Sequence, residues 1–94
     1  MDNFNNELFD ELCHAMSLLK GADECRMFLE DICSIKELEA ISQRLKVAAL
    51  LKSGCNYQDI IAKTGASTAT ISRVNKCLRF GSGGYELVLG GKDK

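Results

Sequence analysis

The stretch YQDIIAKTGASTATISRVNKCLRF, residues 57–80, decides the fold. Its apolar residues recur at helical spacing on either side of Gly65: Ile60, Ile61 and Thr64 before it, Ile71, Val74 and Leu78 after it. Asn56 stands where a cap would open the first helix, with Asp59 at its third position, and Ser67 stands where a cap would open the second. Gly65 supplies the left-handed backbone that a tight turn needs. The reading is a helix from about Tyr57 to Thr64, a turn of Gly65, Ala66 and Ser67, and a helix from about Thr68 to Phe80. Two short helices joined this way form a helix-turn-helix, whose second helix enters the major groove of DNA.

Upstream, Ser34-Ile-Lys-Glu37 is a capping box, in which each side chain satisfies the other residue's backbone N–H. It opens a long helix from about Ile35 to Ser53, ended by Gly54. Its stripe of Ile35, Leu38, Ile41, Leu45 and Ala48 is widened by Val47, Leu50 and Leu51, so it reads as the central beam. A first helix is expected over about Asn5–Lys20, stopped by Gly21. A second is expected over about Glu24–Cys33, capped by Asp23, with Met27, Phe28 and Ile32 facing the core. The apolar arc of the first helix, Leu8, Leu12, Ala15 and Leu19 beside Phe9, Cys13 and Met16, is wider than one small partner needs. A second protein chain would explain the excess. Downstream, five of the eight glycines fall between 81 and 91. A hinge, one short docked element at Tyr85–Leu89 and a frayed tail are expected there.

These elements make an all-α chain of five to six helices. Residues 1–80 form the helical DNA-binding and dimerisation domain, and 81–94 a Gly-rich C-terminal segment. The absence of proline fits this reading. The start of the chain is acidic and amphipathic, unlike a signal peptide, and no apolar run approaches the roughly 20 residues needed to span a bilayer. The expectation is a cytoplasmic protein with no membrane partner. Five cysteines (13, 25, 33, 55, 77) include no C-x-x-C pair, and His14 is the one histidine. The expectation is therefore no metal site and reduced cysteines acting as small core hydrophobes. No convergent histidine, carboxylate and nucleophile set appears, so neither catalytic residues nor an enzyme is expected.

The net charge of −1 hides an asymmetry. Residues 1–40 carry ten acidic against three basic side chains, and residues 41–94 carry three against nine. Within 57–80, Lys63, Arg73, Lys76 and Arg79 oppose Asp59 alone. A basic half beside an acidic one suits a protein with one DNA-facing surface. Ser67, Thr68 and Thr70 cluster at the start of the second motif helix, where free N–H groups favour a phosphate and short side chains allow close approach to base edges. Ser72, Lys76 and Arg79 share one face, with Arg73 beside them.

The stretch QRLKVAALLKSGCNYQDIIAKTGASTATISRVNKCL, residues 43–78, resembles the core of the Trp repressor superfamily, which has a similar arginine-bearing long helix and an ATI(S/T)R segment. With the preceding capped helix, the likeness covers about residues 30–80. The whole chain, including GSGGYELVL, is more similar to the small bacterial Trp-repressor-like proteins than to the tryptophan-binding repressor itself. The resemblance implies an intertwined homodimer, a palindromic double-stranded DNA operator and a regulator, a repressor by family habit. It adds Gln58 and Ala69 to the expected DNA contacts, beside Ser67, Thr68, Thr70, Ser72, Arg73, Lys76 and Arg79. It also implies an effector pocket at Ser34, Arg44, Thr70, Arg73, Val74 and Cys77, where the tryptophan-binding member clamps an indole between two arginines. Val74 stands where that member has glycine, Cys77 where it has serine, and Asp31 where it has leucine. A valine adds three carbons where the ligand needs room, and overpacking costs about 1–3 kcal/mol. The expectation is therefore no tryptophan corepressor and no other cofactor, with any small-molecule effector unknown. The alternative from another class is a helical adaptor that binds a polypeptide through the same motif.

Overall fold

The computed structural model describes residues 5–90. Six helices follow one another: α1 (Asn6–Ser17), α2 (Gly21–Ile32), α3 (Ile35–Lys52), α4 (Tyr57–Thr64), α5 (Thr68–Phe80) and α6 (Gly84–Leu89). Among the described residues there is no strand. No helix among them is long and apolar enough to cross a membrane. The described chain divides into two compact units, one ending at Leu38 and one beginning at Glu39.

In the first unit, Asn5 caps α1 by accepting from the Leu8 N–H at 3.1 Å. The Ser34–Glu37 box is formed in both directions, at 2.8 and 3.1 Å. Because Ser34 satisfies one of the orphan donors at the start of α3, Ser34→Ala is expected to cost about 1 kcal/mol. Thermal unfolding followed by circular dichroism would reveal this as a loss of a few degrees, and an unchanged midpoint would refute it.

Two expectations need correction here. Gly21 does not stop α1, which ends four residues earlier at Ser17. With φ +83° it instead opens α2, and Glu24 rather than Asp23 serves that end, its carboxylate accepting from the Lys20 N–H at 2.8 Å. Asp23 sits in the first turn of α2, where a negative charge favours the helix dipole. The second correction concerns burial. Neither α1 nor α2 contains a buried residue, and of the three side chains expected to face the core from α2, Met27 and Ile32 are exposed and Phe28 is half-buried.

The second unit holds the core. Val47 and Ala48 of α3, Ile60 of α4, Ala66 of the turn, and Ile71 and Val74 of α5 are all buried. Each fully buried valine or isoleucine contributes roughly 1.5–3 kcal/mol, so these few side chains hold three helices at fixed angles. Leu50, Leu51, Cys55, Tyr57 and Leu78 pack around them, as do Tyr85 and Leu89 from α6. The Lys52–Glu86 ion pair, at 2.9 Å, joins the end of α3 to α6. The expected stripe of α3 is thus only partly inward: Val47 and Ala48 are buried, while Ile35, Ile41 and Leu45 are exposed. Ile61 is exposed as well. The cysteines are also not core residues, since Cys13 and Cys77 are exposed and the other three half-buried, all with free thiols.

α5 ends where a side chain cannot follow. A Cβ at Gly81 would lie 2.5 Å from the carbonyl oxygen of Cys77, which accepts the Gly81 N–H at 2.9 Å.

Candidate functional site

The bounds of α4 and α5 coincide with those read from residues 57–80. Each start is fixed locally. The Asn56 side chain accepts from the Asp59 N–H at 2.9 Å, and the Ser67 hydroxyl accepts from the Thr70 N–H at 3.1 Å. Gly65 adopts φ +73° and donates its N–H to the Ile61 carbonyl at 2.8 Å, closing α4.

Thr64 and Gln43 brace this turn. The Thr64 hydroxyl donates to the Ile60 carbonyl at 2.7 Å and accepts from the Ala66 N–H at 3.1 Å. The Thr64 carbonyl in turn accepts from the Gln43 side-chain amide on α3, at 3.1 Å. With Ala66 only 2% exposed, the turn is anchored to the core and to α3. The start of α5 therefore has little freedom to move relative to α3 and α4.

One face of α5 is left to solvent. Ser67, Thr68, Ala69, Ser72, Arg73, Lys76 and Arg79 are exposed, as is Gln58 at the start of α4. Thr70 differs. It is half-buried, and its hydroxyl lies 3.1 Å from that of Ser67. The result is a rigid helix start carrying small hydroxyl and methyl groups, followed by three exposed cations along the same helix. Neither Arg73, Lys76 nor Arg79 forms an ion pair among the described residues.

Behind this surface, Arg44, Arg73, Val74, Cys77 and Tyr85 line one cavity of about 340 Å³. Four of these five come from the sequence reading. Ser34 and Thr70 do not line this cavity. Ser34 belongs to the first unit, where its hydroxyl caps α3, and Thr70 pairs with Ser67. Val74 is 1% exposed and belongs to the core, so its side chain takes up volume between α5 and its neighbours. Tyr85 was missed. It lies twelve residues beyond Arg73 in a short, glycine-flanked run, and only the docking of α6 brings it to the cavity.

Three comparisons bear on the chain as a whole. Residues 7–92 match the family described as Trp repressor protein. The uncharacterized Bacillus subtilis protein YerC is 43% identical over 89 residues, which is 95% of this chain and 86% of that protein. A crystal structure of a TrpR like protein from Eubacterium eligens superposes with a TM-score of 0.82 at 46% identity, covering 96% of this chain and all of that one. A candidate Trp repressor from Staphylococcus aureus superposes with the same TM-score at 42% identity, over 89% of this chain and 84% of the other.

Proposed function

Because the chain belongs to the Trp repressor family, whose members are helical DNA-binding regulators and not enzymes, we propose that it is a sequence-specific repressor acting in the cytoplasm as a homodimer on a palindromic operator. The observation that carries this reading is the exposed, doubly braced start of α5, built from small side chains and followed by unpaired cations.

In this role Thr68, Ala69 and Ser72 approach base edges in the major groove, while Ser67 and Gln58 meet the phosphates that flank it. Arg73, Lys76 and Arg79 neutralise further phosphates and set the affinity. Thr70 supports the helix start through Ser67 rather than reaching DNA on its own. Dimerisation is supported by the exposed Leu8, Phe9, Met16 and Met27 on two helices that bury nothing within the chain, and by the exposed Leu18 that follows the first of them. Isolated surface leucines are ordinary, but several large apolar side chains exposed on neighbouring turns suit an association surface. A two-fold dimer would place two α5 helices about 34 Å apart, one turn of the duplex.

Operator binding does not require tryptophan in this reading. Val74 occupies volume that an indole would need, and a helix core does not yield three carbons without cost.

Selection of bound DNA from a random pool at physiological salt, with and without L-tryptophan, tests these statements together. A palindromic motif with half-sites about one helical turn apart is expected in both pools. Enrichment only with tryptophan would overturn the reading of Val74. Enrichment of nothing would overturn DNA recognition and favour a surface that binds a polypeptide.

A further inference from the structure

A second cavity, of about 520 Å³, lies between α3 and α4 and shares no residue with the one beside Arg73. Glu39, Ser42 and Lys46 recur at helical spacing along one face of α3, with Gln43 beside them, and Lys63 and Thr64 border the groove from the last turn of α4. Lys63 is the one cation of residues 57–80 that α5 does not carry. Both lysines are exposed. Asp59 stands four residues before Lys63, a spacing that favours an ion pair, and Glu39 lines the groove with both lysines. Neither carboxylate pairs with either lysine. A cation in the last turn suits the helix dipole, which accounts for Lys63 on α4 but not for Lys46 on the α3 wall. The groove also holds neutral donors on a fixed frame. The Gln43 amide gives one N–H to the Thr64 carbonyl at 3.1 Å, which neutralises that helix-end acceptor, and keeps a second N–H in reserve. The Ser42 hydroxyl has no hydrogen-bond partner among the described residues. A phosphate group, with three strong acceptor oxygens and up to two charges, matches two ammonium groups, an amide and a hydroxyl better than a carboxylate does.

We propose that this groove holds a phosphate group between Lys46 and Lys63, with Ser42 and Gln43 as its neutral donors. Glu39 on the rim opposes the phosphate and limits its affinity. Two sources share this chemistry: a phosphodiester of DNA that flanks the base pairs met by α5, and a free phosphate ester. Thr64 and Ser67 are three residues apart, so their Cα atoms lie at most about 11 Å from each other. Over that length one strand of a duplex carries about three phosphates, so DNA engaged by the start of α5 has phosphates at a distance the groove can meet. The site binds phosphate without an operator, so it and the DNA-binding reading can each fail while the other stands.

The test is titration of the uniformly 15N-labelled full chain, without DNA, with sodium pyrophosphate and, at matched ionic strength, with sodium acetate and sodium chloride. Saturable shifts at the amides of Ser42, Gln43, Lys63 and Thr64 are expected with pyrophosphate alone. Glu39→Gln should tighten binding about threefold, the size of one exposed charge interaction. The double variant Lys46→Gln, Lys63→Gln should abolish it while leaving the amides of the buried Val47 and Ile60 in place. A second arm separates the sources. On duplex DNA the double variant should lose about 0.9 from the slope of log affinity against log salt, one phosphate contact, if the DNA backbone fills the groove. An unchanged slope beside intact pyrophosphate binding in the unaltered chain assigns the groove to a free phosphate ester. No saturable shift, equal shifts with chloride or acetate, or weaker binding in Glu39→Gln would overturn the proposal. Shifts confined to Ser67–Thr70 and unaltered in the double variant would overturn it too, since they place the phosphate at the start of α5.

Discussion

Truncation of Ile71 to alanine is expected to lower the unfolding free energy by about 2–5 kcal/mol. Ile71 is fully buried among Val47, Ala48, Ile60, Ala66 and Val74. That cluster touches α3, α4, the turn and α5 at once, so a void there has no single soft neighbour to collapse into it. The second unit has few buried residues to share the loss. Denaturant unfolding should show a lower midpoint at an unchanged slope, the signature of lost stability rather than altered compactness. In a domain of this size each kcal/mol corresponds to roughly 4–8 °C of melting temperature. Leu87→Ala provides the contrast, because Leu87 is 87% exposed and truncation there should stay within about 0.5 kcal/mol. Equal losses for the two variants would mean that the centre of the fold lies elsewhere.

The second large effect concerns DNA. In the double variant Arg73→Ala, Lys76→Ala, the slope of log affinity against log salt should become shallower by about 0.9 for each phosphate contact removed. Affinity should fall by at least tenfold at low salt, and the selected motif should persist, because phosphate contacts position the protein without reading sequence. Both side chains are exposed and without ion partners, so the fold should be unaffected. Mobility shifts across a salt series provide the measurement. A slope identical to that of the unaltered chain would remove Arg73 and Lys76 from the DNA surface.

The helix-turn-helix was legible in the sequence because its determinants are local. Asn56, Gly65 and Ser67 act within three or four residues of themselves, and the bounds of α4 and α5 follow from them. The capping box at Ser34 and Glu37 was legible for the same reason. Gly21 misled because a left-handed glycine can open a helix as readily as close one, and the deciding contact is the bond from Lys20 to Glu24. Apolar spacing likewise reports which residues share a face, and not what covers that face. Met27, Ile32 and Ile41 keep their helical register and stay exposed. The burial of Ala66, the brace from Gln43 to Thr64 and the approach of Tyr85 to Arg44 depend on chain separations of 12 to 41 residues. No periodicity carries that information. Within the smaller cavity, the sequence therefore placed Arg44, Arg73, Val74 and Cys77 and left out the aromatic wall.

Gly81 has a consequence for sequence variation. Its missing side chain is dictated by the Cys77 carbonyl oxygen, a backbone atom that every residue type at position 77 would retain. Exchange of Cys77 therefore cannot relieve the restriction. A related chain with any side chain at this position must end the equivalent of α5 by another geometry. One hydrogen atom in place of a methyl group thus records, in a form readable from sequence, whether a relative can end this helix as α5 ends here.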